Sequence, residues 1–95
     1  MNDELIDELC SVLEKARDRT ELKTLLNGLL TPREISEVSV RWHLMQKLLE
    51  GRTHREIAND LGISLGKIAR GSRLLQYGSS DFKTLLERIR RENAG

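Results

Sequence analysis

Arg55, Lys67, Arg70 and Arg73 stand close together between Thr53 and Tyr77, interspersed with the hydroxyls of Ser64 and Ser72. Guanidinium and ammonium groups at this spacing suit the phosphate oxygens of DNA, and serine hydroxyls add phosphate donors. The other reactive side chains do not assemble. His43 and His54 fall on different predicted helices, and Cys10 has neither a histidine nor an acid placed beside it. No nucleophilic pair, no metal cluster and no phosphate-cradling glycine motif is expected, so the reading is non-enzymatic. His54 reads as a solvated residue within reach of phosphate, and Trp42 as a core residue.

The elements that must position these cations are written in the same stretch, THREIANDLGISLGKIARGSR. Thr53 and Glu56 form a capping box, so a helix starts near His54. Ile57, Ala58 and Leu61 recur at one-turn spacing, with Ala58 small enough for a second helix to cross closely. Gly62 accepts the left-handed backbone of a tight turn, Ile63 returns an apolar group to the core, and Ser64 is a good N-cap. Leu65, Ile68 and Leu75 trace the expected buried stripe of the second helix, leaving Gly66, Lys67, Arg70 and Arg73 largely on other faces. A plain helical hairpin with a solvated basic face would share the periodicity. The small residue, the turn glycine and the capped second helix together favour a helix-turn-helix.

Around this unit the pattern predicts an all-α chain of about six helices with short connections. Leu5, Ile6, Leu9, Val12 and Leu13 form the stripe of a first helix running to about Ala16. Thr20 is the expected cap of a short second helix, which Asn27-Gly28 interrupts. Thr31-Pro32-Arg33-Glu34 is another capping box, opening the longest helix, to about Glu50, with Gly51 as its stop. Tyr77-Gly78 ends the recognition helix. Ser79 or Ser80 opens the last one, with Phe82, Leu85, Leu86 and Ile89 inward and a frayed tail after Arg90. The expected organisation is a single domain over 1–95, with core and dimerisation helices at 1–50, the helix-turn-helix at 53–77 and a C-terminal core helix at 79–91. The leucines of the first two helices need a partner. A symmetric dimer supplies one and sets two recognition helices one DNA turn apart, roughly 34 Å; a monomer closing its own core is the alternative.

The formal net charge is only +1, but it is unevenly spread. Asp3, Glu4, Asp7, Glu8, Glu14 and Asp18 face only Lys15 and Arg17, a net of −4 over residues 1–18. Arg52, Arg55, Lys67, Arg70 and Arg73 face only Glu56 and Asp60, a net of +3 over residues 51–75. Screening confines such fields to about 8 Å in physiological salt, so the local excess is what phosphate senses. Trp42, Tyr77 and Phe82 are too few and scattered to stack on single-stranded bases. One cysteine, an acidic start and no long apolar run point to a cytoplasmic protein without a membrane span.

LLTPREI at 29–35, Arg41-Trp42, LLEG at 48–51, REIANDLGIS at 55–64 and IARGSRLL at 68–75 resemble the bacterial tryptophan operon repressor family. The resemblance covers about Leu25 to Leu86. It implies an intertwined homodimer of six helices per chain whose fourth and fifth helices form a head for operator DNA, with L-tryptophan as the family's corepressor. Carried over by position, it implies an effector site of Arg41 on the ligand ring, Arg70 and Thr31 at its carboxylate, Gly71 leaving room for the ring, and the Leu30 carbonyl at its ammonium group. A planar guanidinium can indeed fork a carboxylate or lie on an aromatic face. Arg41 also stands in line with Val38, Met45 and Leu48, where it either finds a partner or packs its stem and extends its head to water.

For DNA, the resemblance implies that Arg55 approaches a base edge. Ser64, Lys67, Ser72 and Arg73 read as phosphate contacts, with Leu65 and Gly66 at the helix tip near the bases. The chain departs from the family at Leu74, where a serine hydroxyl helps to hold the ammonium group, and at Lys67, where a threonine stands. Losing one hydrogen bond to a charged group costs about 1.5–3 kcal/mol. The turn at residues 51–55 is also one residue shorter than in the tryptophan-sensing members. With Tyr77-Gly78, it is similar to a repressor-like branch of less certain effector. Ala58 stands where those members carry a longer polar residue, which bears on the operator sequence. The expectation is a transcriptional repressor on double-stranded DNA with an amino-acid-like corepressor. The alternatives are a constitutive DNA binder and an interaction module that kept the fold.

Overall fold

The computed structural model describes residues 3–94, which form six α-helices and no strand among the described residues. They are α1 (Asp3–Glu14), α2 (Arg19–Leu29), α3 (Pro32–Leu49), α4 (His54–Leu61), α5 (Leu65–Tyr77) and α6 (Ser80–Ala94). Contacts group the chain into one unit up to Glu37 and another from Val38.

In the first unit, α1 stops at Glu14, short of Ala16, because its last turn tightens: the amides of Lys15 and Ala16 donate to Val12 and Leu13, three residues back. The cap of α2 is Asp18, and Thr20 lies inside the helix. Asp18 Oδ1 accepts from the Glu21 amide at 2.8 Å while Glu21 Oε1 accepts from the Arg17 amide at 2.9 Å. Asp18 has an acid three residues on and Thr20 does not, which decides between them. Asn27-Gly28 does not break α2 either. A single helical glycine costs only about 1 kcal/mol, and the stop comes at Leu30-Thr31, just before Pro32. At the start of α3 the expected box forms, with the Thr31 amide donating to Glu34 Oε1 at 2.9 Å and the Glu34 amide to Thr31 Oγ1 at 3.1 Å. Neither α1 nor α2 contains a buried residue, and Leu5, Ile6, Leu9 and Val12 are exposed.

The second unit holds the core. Ile57 of α4 and Ile68 of α5 are fully buried together with Leu44 of α3, and Leu48, Ala58, Leu61 and Ile63 pack around them. Each such aliphatic contributes about 1.5–3 kcal/mol on burial. The end of α3 is a Schellman motif. Gly51 takes φ +80°, its amide donates to Leu48 O, and the Arg52 amide reaches Lys47 O. α5 packs on α4 and on α6, where Leu86 is buried and Ile89 half-buried. Phe82 and Leu85 were expected to face inward and are exposed instead. The tail is helical to Ala94, where Arg88 forks Glu92 one turn on at 2.8 and 2.9 Å. No helix is long and apolar enough to cross a membrane among the described residues.

Candidate nucleic-acid interface

The turn between α4 and α5 is built as its residues require. Thr53 caps α4, accepting from the Glu56 amide at 3.1 Å, and its hydroxyl donates to Glu56 Oε1 at 3.0 Å. Gly62 closes α4 at φ +65° and ψ +34°, its amide donating to Ala58 O, and Ser64 caps α5 by accepting from the Lys67 amide at 3.1 Å. The cap uses an acceptor lone pair of Ser64 and leaves its hydroxyl proton free for a phosphate. The amides of Leu65 and Gly66 are left as orphan donors of the first turn, at the positive end of the α5 dipole.

On α5, Ile68, Gly71 and Leu75 face the core, and Lys67, Arg70 and Arg73 spread over an adjoining arc of about 120°, all exposed, with Arg73 farthest from the core. Arg55 is exposed on α4. None of these four cations makes an ion pair among the described residues, so their charge is available to an incoming polyanion. Ser72 is half-buried beside Gly71. Leu65, expected in the buried stripe, is 54% exposed. It is the first residue of α5, next to the Ser64 cap. Asn59, one turn beyond Arg55 and equally exposed, shares that face of α4. Nothing in the hydrophobic pattern selects it, although an amide beside an arginine is a base-reading pair of groups.

The candidate effector residues lie in both units. Leu30 and Thr31 form the α2–α3 junction, Leu30 half-buried as the C-cap of α2 and Thr31 engaged as the cap of α3. Arg41 and Arg70 are exposed, which leaves both guanidinium groups free, and Gly71 is buried against the Leu44 and Leu48 side chains. Leu74 is 50% exposed. No group of three or more His, Cys, Asp or Glu side chains could hold a metal among the described residues.

Residues 4–90 match the model of the Trp repressor protein family. The chain belongs to the Trp repressor family. It is 37% identical over 81 residues to a Trp operon repressor homolog of Chlamydia trachomatis serovar L2, covering 84% of this chain and 83% of the relative. It is 31% identical over 85 residues to a Trp operon repressor homolog of Vibrio campbellii, covering 84% and 85%. It is also 28% identical over 85 residues to the uncharacterized protein YerC of Bacillus subtilis, covering 90% and 82%. The Trp repressor family consists of transcription regulators and not enzymes, and the six-helix all-α fold agrees with it. This chain is therefore a DNA-binding regulator.

Proposed function

We propose that the protein is a cytoplasmic, homodimeric repressor that reads a palindromic operator through α4 and α5 under the control of a small amino-acid-like corepressor, with L-tryptophan the first candidate. The observation that carries the reading is the run of unpaired cations Lys67, Arg70 and Arg73 on the outer face of an α5 whose start is fixed by Gly62 and Ser64. In this reading Arg55 meets a base edge. Ser64, Lys67, Ser72 and Arg73 hold phosphates, and Leu65 and Gly66 approach the bases at the helix tip. Arg70 pairs with the ligand carboxylate beside Thr31. Arg41 lies on the ligand, the Leu30 carbonyl accepts from its ammonium group, and Gly71 lets α5 approach the pocket closely. The exposed stripe of Leu5, Ile6, Leu9 and Val12 supports dimerisation, because a second copy would remove it from water. The single domain is then the 1–95 chain, with 1–50 for assembly, 53–77 for reading and 79–91 closing the core.

Site selection from random duplex DNA, with and without L-tryptophan, tests this reading. The expected result is paired half-sites about one helical turn apart, enriched more strongly with the amino acid. A constitutive DNA binder is the second reading. It is favoured by Leu74, which offers no acceptor to an ammonium group, and by the leucines packed against Gly71. It expects the same half-sites at equal enrichment in both arms, and no heat on titration with any amino acid.

A further inference from the structure

Arg52 belongs by sequence to the basic stretch of the head, yet its guanidinium is already occupied. It lies 3.4 Å from Glu50, 3.7 Å from Asp60 and 4.0 Å from Glu56. Asp60 also accepts from Lys47 Nζ at 3.3 Å, and Glu50 meets Arg90 at 3.6 Å. These contacts join the end of α3 (Lys47, Glu50), the connecting turn (Arg52), α4 (Glu56, Asp60) and α6 (Arg90). Three cations face three carboxylates, so the cluster is self-neutralised and offers no net charge to a phosphate.

We propose that this cluster is the positioning clamp of the reading head: Asp60 and Glu50 hold α4 to the end of α3 and to α6 through Lys47, Arg52 and Arg90, so Arg52 is not a DNA contact. An isolated half-exposed ion pair does little, because screening and side-chain entropy offset it. Here Arg52 is shared by three carboxylates and Asp60 by two cations, a network in which one loss loosens several contacts. The backbone prepares the geometry, because the Schellman turn fixes both Glu50 and Arg52 on either side of Gly51. Lys47 is the least exposed member, with 23% of its side chain open to solvent, and it anchors the inner edge. Arg55 is exposed outside the cluster and stays free to meet DNA.

The role in DNA reading rests on the functional proposal above, so the test has two arms. In the DNA-free protein, hydrogen exchange is measured on Asp60→Asn and on Asp60→Glu, which keeps the charge facing Lys47 and Arg52. The clamp expects the α4 amides of Asp60→Asn to exchange several-fold faster relative to those of α5, and those of Asp60→Glu to stay near wild type. In the second arm, affinity for a duplex recovered by site selection is measured across a salt series. Arg52→Gln is expected to weaken binding about threefold to fivefold at an unchanged slope, whereas Arg73→Ala lowers the slope by about one. Equal α4 exchange in Asp60→Asn and wild type would overturn the clamp. A slope lowered by Arg52→Gln as much as by Arg73→Ala would make Arg52 a phosphate contact instead. Wild-type protein that binds no duplex would strike the functional proposal alone, and the exchange arm would still decide the clamp.

Discussion

Gly71 of α5 lies directly against Leu44 of α3: a Cβ at residue 71 would stand 3.0 Å from Leu44 Cδ2 and 3.5 Å from Leu48 Cδ1. Leu44 is itself buried beside Ile57 and Ile68, so it has little room to retreat. α5 is thus seated on α3 by the absence of a side chain. Its neighbour Arg70 remains exposed. Helix seating and the presentation of an exposed cation are set by consecutive residues.

Gly71→Ala should therefore destabilise the protein by about 1–3 kcal/mol, the usual range for overpacking a filled core. Gly66 of the same helix is the control, because a Cβ there would meet only Ser64 Oγ, at 3.8 Å. Gly66→Ala should be neutral or stabilising by up to about 1 kcal/mol, since alanine is the better helix former. Urea titration of both variants checks the contrast in sign, and equal effects would show that residue 71 is not a packing contact.

The turn makes an independent demand. At φ +65° an alanine in place of Gly62 carries the left-handed penalty of roughly 1–2 kcal/mol, whereas Gly62→Asn should lose less. Ser64→Ala removes the cap on the Lys67 amide and should cost about 1 kcal/mol. Thermal denaturation of the three variants gives the order, with Gly62→Asn the mildest of the glycine pair.

Glu34 gives the fold a weak acid sensitivity. Its carboxylate accepts from the Thr31 amide, and this bond and the Thr31 hydroxyl hold its pKa below the ordinary value. A group with a lowered folded pKa stabilises above the unfolded value, near 4.3, and loses that contribution as pH falls through the folded one. The start of α3 should accordingly loosen in acid, below the usual carboxylate range. Glu34→Gln should flatten that part of the profile when amide signals of Thr31 to Ile35 are followed by NMR. Because the group is fully exposed, the rest of the fold should not respond.

The local chemistry of this chain was legible where a few neighbouring residues decide the outcome. Thr31 with Glu34, Gly62 and Ser64 behave as their types dictate, while Thr53 and Glu56 make one half of their box and the Glu56 carboxylate takes the Thr53 hydroxyl in place of its amide. The cap at Asp18 is equally readable, since Glu21 stands three residues on, whereas Thr20 has no acid at that spacing. What periodicity could not supply is which apolar face finds a neighbour. Leu65, Phe82 and Leu85 carry the right spacing and remain exposed, because burial needs a second surface facing them. Counting charge along the chain put Arg52 in the basic stretch, although Glu50 and Glu56 stand only two and four residues away; Asp60, its third carboxylate, reaches it only once α4 folds against the turn.

Arg70 and Arg73 stand one turn apart on the exposed face of α5, and the proposed function gives them different work. If Arg70 holds an effector carboxylate, Arg70→Ala should abolish the change in operator affinity caused by the amino acid and leave basal affinity largely intact. Arg73, on the outer arc, should act on phosphate. Arg73→Ala is expected to weaken binding to specific and random duplexes alike and to lower the slope of log affinity against log salt by about one per site. Fluorescence anisotropy over a salt series, with and without L-tryptophan, separates the two. Equal loss of slope in both variants, with the effector response unchanged, would assign both arginines to phosphate and move the ligand site away from α5. Dependence of the response on Arg70 alone would instead tie the Leu74 departure to the choice of ligand, because a carboxylate would still be held while the ammonium group lost its acceptor.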